Sequence, residues 1–166
     1  MSAFLRKVQN KNRWMGVEDL AWLPSDDVEA DLLADLKTQE NELSIWHIED
    51  DRSNLERVLA ALAAGCKALD RLDYLLFDSQ ALDSLGIEYR KSAGDSCDPE
   101  LNEKFHFDAV RLSGRILVGL ARGMKDGAEK ARVQASRVKA LISWAVGLGH
   151  FPIDQVPEGI RAKLAQ

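Results

Sequence analysis

The sequence predicts a mostly helical α+β fold, with a small two- to three-stranded, partly parallel sheet flanked by helices and a helical C-terminal section. Three observations predict it. The hydrophobic period shortens at Leu43–Ile48, where β-branched and aromatic residues cluster, and returns to helical spacing a few residues later. A second short apolar run, residues 72–77, follows after about one helix of chain. Beyond residue 98 the apolar positions keep helical spacing almost to the end.

The 166 residues, 46% of them apolar and 30% charged, suit one soluble domain with a continuous core. One domain over residues 1–166 is therefore expected. It divides into an acidic mixed α/β subregion, about 17–98, and a basic helical subregion, about 99–166. No apolar run approaches spanning length, and the first residues turn basic before any hydrophobic stretch, so a cytoplasmic protein away from membranes is expected. Cys66 and Cys97 stand 31 residues apart without CxxC pairing, which suits reduced thiols rather than zinc or a disulfide.

Taken in order, residues 1–16 read as a basic arm or a short helix with Phe4, Leu5 and Val8 on one side. Residues 20–24 read as an irregular apolar segment closing at Pro24. Ser25 offers an N-cap, and Val28, Leu32 and Leu36 predict an amphipathic helix over 26–37. After the strand at 43–48, Ser53 and Glu56 have capping-box spacing, and Leu55, Val58, Leu59 and Leu62 form a helix stripe ending at Gly65. Residues 72–77 suit a strand better than a helix, so strand, helix and strand would form a parallel βαβ unit. A short helix over 79–85 ends at Gly86, and 87–91 can be a third strand. Residues 92–98 form a loop, and Asp98 followed by Pro99 opens a helix expected to continue to about residue 124. Another helix is expected over 128–147, and Pro157 opens a short terminal one.

Charge is unevenly divided. Residues 17–108 hold 23 of the 27 acids and 8 bases, whereas residues 109–166 hold 10 bases and 4 acids. Such polarity bears on partners and association rates rather than on fold. It supports a non-enzymatic interaction protein, an accessory or immunity-type subunit that docks a basic protein partner or a second copy of itself. The expected docking residues are Asp31, Asp35, Glu49, Asp50, Asp51 and Asp95, with Trp14 and Trp22 as aromatic anchors.

Two alternatives have specific residues behind them. A metal-assisted phosphoesterase or nuclease-like enzyme would use His47, Asp50 and Asp78 at strand ends, with His106, and requires that these converge. A nucleic-acid binder would use Arg111, Arg115, Arg122, Arg132 and Lys139 as one basic groove on the C-terminal helices. The junction around Gly94, Ser96, Asn102 and His106 can also receive an anion, although Asp95, Asp98, Glu100 and Glu103 oppose it. No Walker, dinucleotide or nucleophile-elbow motif is present, so no cofactor, metal or nucleophilic catalysis is expected.

Overall fold

The computed structural model describes residues 2–15, 22–24 and 26–165. Its centre is a six-stranded sheet, antiparallel at every pairing, in place of the small, partly parallel sheet expected. In chain order the strands are β1 (Ala3–Val8), β2 (Leu43–Ile48), β3 (Leu72–Asp78), β4 (Tyr89–Lys91), β5 (His106–Ala109) and β6 (Glu129–Val133). They lie side by side as β4-β5-β2-β1-β3-β6.

The correction begins with β1. Residues read as a basic arm form a central strand, with Ala3 opposite both Ile48 and Asp78. β2 and β3 do run in one direction with helix α2 (Leu55–Ala64) crossing between them, but β1 lies between the pair and runs against both. The expected βαβ unit is thus split by a strand from earlier in the chain. Arg6 and Lys7 disguise the alternation in which Phe4 and Val8 face one core and Leu5 the other.

Helices cover both faces. On the first, α2, α4 (Pro99–Phe105), α6 (Ala135–Gly147) and α7 (Glu158–Leu164) pack on Leu5, Trp46, Leu72 and Leu76. On the second, α1 (Ala30–Leu36), α3 (Gln80–Asp83) and α5 (Gly114–Gly127) pack on Phe4, Ile45, Leu75 and Phe77. Both cores mix residues from the acidic and the basic subregions, because β5 and β6 pair onto front-section strands. β3 is buried on both faces, whereas the edge strands carry Arg90 and Lys91 or Glu129, Lys130 and Arg132, which discourages edge pairing with another chain.

Two long helices expected in the C-terminal half are each interrupted by strand. The helix opened by Asp98 stops at Phe105, and residues 106–109 pair with β2. Residues 129–133 pair with β3 before α6 begins. Sheet hydrogen bonds override helical spacing in both places. Asp98 does cap α4, accepting from the Leu101 N–H, but the capping box at Ser53 is not formed, since Ser53 bonds Glu49 and Asn54 is the N-cap of α2. α1 starts at Ala30, later than expected; Ser25 and residues 20–21 lie outside the described residues. Among the described residues no helix is long and apolar enough to cross a membrane.

Candidate functional site: an acidic edge and a cavity at opposite ends of the sheet

The expected docking residues do not share one surface. Asp35 and Trp14 are buried against each other, the Trp14 Nε1–H donating to Asp35 at 2.9 Å, while the Gln9 N–H donates to the other carboxylate oxygen. Neither reaches a partner. Asp31 is exposed beside Arg13, 3.7 Å away, and Trp22 is 72% exposed. Asp95 lines a cavity at the Val8 end of β1, whereas Glu49, Asp50 and Asp51 follow β2 at the Ala3 end. Those ends are roughly 17 Å apart, five strand rises of about 3.3 Å.

At the Ala3 end the topology assembles an acidic edge. Ile48 and Asp78 flank Ala3, and the Ser79 N–H donates to the Ser2 carbonyl, so the 49–51 turn and the 78–83 segment lie on either side of the start of β1. Glu49 accepts from the Ser53 hydroxyl at 2.6 Å, Asp51 from the Ser53 N–H at 2.9 Å and Asp78 from the Gln80 N–H at 2.8 Å. These donors are neutral, so the carboxylates keep their charge toward solvent. Serine donors hold Asp51 below its ordinary carboxylate value. Arg52, the cation of this turn, is paired with Glu129 at 2.9 Å. Asp83 is exposed on α3.

Part of the tail's positive charge is answered within the chain. Arg132 makes a two-pronged pair with the buried Asp73 at 2.7 Å, Lys125 meets Glu29 at 3.0 Å, Arg111 meets Glu88 at 3.1 Å, and Arg137 meets Glu56. The basic residues proposed for nucleic acid also fail to share a groove. Arg115 and Arg122 are on α5, over the second face, and Lys139 is on α6, over the first. Arg111 precedes α5 in a left-handed turn, and Arg132 lies on β6.

Of the groups proposed for metal chemistry, Asp50 and Asp78 lie at the Ala3 end, but the two histidines face opposite sides of the sheet. His47 lies on the second face among Phe4, Phe105 and Phe107. His106 lies on the first face directly opposite Trp46, its Nδ1 2.9 Å from the Ser92 hydroxyl. Asp78 shares that face but stands three strands away, about 14 Å at interstrand spacings of about 4.8 Å. Among the described residues no group of three His, Cys, Asp or Glu side chains has metal-binding geometry.

At the Val8 end β1 and β2 part. They pair at Ala3–Ile48, Phe4–His47 and Leu5–Trp46, while β1 continues on β3 to Asp73 and β2 continues on β5 to Ala109. The gap holds a cavity of about 370 Å³ bounded by Arg6, Lys7, Lys37, Ser96 and His106, with Asp35 and Asp95. Arg6 bridges the parted strands, Nη1 donating to the Ser44 carbonyl at 2.8 Å and Nη2 to the Leu36 carbonyl at the end of α1. Burial lowers the Arg6 pKa to about 10, against the opposing pull of Asp35 and Asp108. The loop over residues 92–98 is latched beside it by Asn102, whose Oδ1 accepts from the Ser96 hydroxyl and whose Nδ2 donates to the Ser96 carbonyl. Gly94 is required there, because a Cβ would come within 2.7 Å of Asn102 Oδ1 and 3.0 Å of the His106 ring.

Sequence reading singled out Ser96, Asn102 and His106 but placed them on one helix and its approach; His106 is instead the first residue of β5. Arg6, Lys7 and Lys37 were not identified. The available signal was an arginine between Phe4 and Val8 on one side of an alternating segment, which marks an inward-facing cation. Comparison with protein-family models, with characterised proteins and with solved structures found no match to this chain.

Proposed function

We propose that the protein is a non-enzymatic interaction protein, of the accessory or immunity-subunit kind, that docks a basic protein partner through the edge carrying Glu49, Asp50, Asp51, Asp78 and Asp83. The observation that supports this is the convergence of two separate acidic segments on either side of β1, held by neutral donors, while the nearby Arg52 is engaged by Glu129. The polarity between sequence halves, by contrast, is partly answered by internal pairs, so the reading rests on this edge. A one-signed edge accelerates encounter with an oppositely charged surface and rejects like-charged ones. Less supports the metal and nucleic-acid alternatives, whose candidate histidines and basic residues lie on different faces of the sheet.

The test compares the wild-type chain with a Glu49→Gln, Asp51→Asn, Asp78→Asn variant as baits in extract of the native host, with captured proteins identified by mass spectrometry. The expected result is a basic protein held at low salt, released at high salt, and retained on the order of tenfold less by the variant. A captured set that is not basic, or that ignores the three substitutions, overturns the reading.

A further inference from the structure

We propose that the cavity between β1 and β2 is a binding site for a small oxyanion, a phosphate- or carboxylate-bearing molecule, with the Arg6 guanidinium as its principal contact. This site is separate from the acidic edge and does not depend on the docking function.

The first ground is the architecture. Each wall belongs to a strand hydrogen-bonded on its far side, β1 to β3 and β2 to β5, so the gap is preformed. Its volume of about 370 Å³ falls in the range of small-molecule sites.

The second ground is an unmet donor. The Arg6 Nε is buried and has no hydrogen-bond partner among the described residues, while both terminal nitrogens are held by neutral carbonyls. A buried donor left unpaired is destabilising, more so when it is charged. Nearby carboxylates do not answer it: Asp35 is engaged by the Gln9 N–H and Trp14 Nε1–H, and Asp108 accepts from the Ser44 hydroxyl. Asp35 and Asp108 already face the guanidinium electrostatically, so what a planar oxyanion group would add is the missing acceptor at Nε.

The third ground is the rest of the lining. Lys7 Nζ lies 3.1 Å from the Cys66 sulfur, and neither Lys7 nor Lys37 belongs to an ion pair resolved among the described residues. With Nδ1 engaged by Ser92, His106 keeps Nε2 as its remaining polar atom, and Asp95 stands on the exposed rim. Part of the Arg6 charge serves the last turn of α1 through the Leu36 carbonyl, which explains the bridging contacts but not the empty Nε.

The experiment titrates the full chain with inorganic phosphate and, separately, with succinate at constant ionic strength, following the Arg6 Nε–H resonance by ¹H–¹⁵N NMR and the melting temperature. Saturable movement of that resonance with a raised melting temperature is expected from at least one probe, and which probe saturates identifies phosphate or carboxylate as the ligand chemistry. Arg6→Lys, which keeps the charge but removes Nε, should weaken binding at least tenfold. Lys37→Gln, on an exposed position that leaves the Arg6 bridge intact, should weaken it several-fold. An unmoved Arg6 resonance with both probes, or equal affinity in wild type and Lys37→Gln, overturns the proposal and leaves Arg6 as a structural clamp.

Discussion

The two ends of the sheet handle carboxylates in opposite ways. At the Val8 end two of them are buried and answered: Asp35 by Gln9 and Trp14, and Asp73 by the Lys11 N–H and by Arg132. At the Ala3 end Glu49, Asp51 and Asp78 are bound by neutral donors and keep their charge outward. Removing either of these two carboxylates should therefore damage the fold. Removing one from the second should damage only association. The difference separates acids that fold the chain from acids that address a partner, although both kinds contribute equally to composition.

The largest effect is expected at Asp73. Its side chain is 1% exposed and accepts from three donors, so Asp73→Asn leaves Arg132 and the Lys11 N–H without their charged acceptor. Breaking a buried pair costs about 3–5 kcal/mol. Arg132 keeps some solvent contact, which places the loss at the lower end, about 3 kcal/mol, or a fall in melting temperature of about 6–12 °C at this size. A urea midpoint unchanged from wild type would remove the distinction between the two ends.

The same pair gives the fold a dependence on acid. Burial pushes the Asp73 carboxyl up, but Arg132 and the Lys11 N–H outweigh it, so its pKa lies below the ordinary value. Glu29 is lowered in the same way, its backbone and Lys125 hydrogen bonds exceeding a burial penalty. A carboxylate with a depressed folded pKa stabilises the native state fully above its unfolded pKa of about 4, and loses that contribution as pH falls through the folded value. Urea midpoints should thus drop as pH is lowered below about 4, with a flatter profile in Asp73→Asn. An equally steep profile in that variant would assign the acid sensitivity to other groups.

Trp14→Phe probes the other buried carboxylate. It removes the indole N–H from Asp35 while Gln9 keeps its own bond, so the expected loss is about 2 kcal/mol, read by chemical denaturation. A neutral outcome would show that Trp14 can be spared from the core, as an interface anchor would be.

Local signals made part of this architecture legible. Leu43–Ile48 and the 72–77 run carry dense β-branched and aromatic residues, and the Asp98-Pro99 start carries its own cap chemistry, so each can be read within a few residues of chain. β1 was obscured because Arg6 and Lys7 resemble a solvated arm, and only the parted strands reveal what their charges face. β5 was obscured because Phe105, Ala109 and Leu112 retain helical spacing. In β6, Arg132 suits a basic helix surface as well as it suits the alternation against Ala131 and Val133 that the strand uses. The cavity has no local signature, since it arises from where two strands stop pairing. The acidic edge was half visible: Glu49 to Asp51 are adjacent in sequence, and Asp78 joins them because β2 and β3 run in the same direction on either side of β1.

The smallest effect on stability, and the sharpest on association, is expected from the edge. Glu49→Gln, Asp51→Asn and Asp78→Asn keep the shape of each side chain and its serine or backbone donor, so each should change folding stability by no more than about 0.5 kcal/mol. Against an identified basic partner, removing three like charges should slow association on the order of tenfold at low salt, with little change in dissociation, because steering acts before the surfaces touch. The deficit should shrink toward nothing near 1 M salt, where the screening length falls to about 3 Å. Stopped-flow or surface-binding rates at two salt concentrations distinguish this from contact chemistry. A loss confined to dissociation would make these carboxylates buried interface partners, and a rate independent of salt would remove them from the encounter altogether.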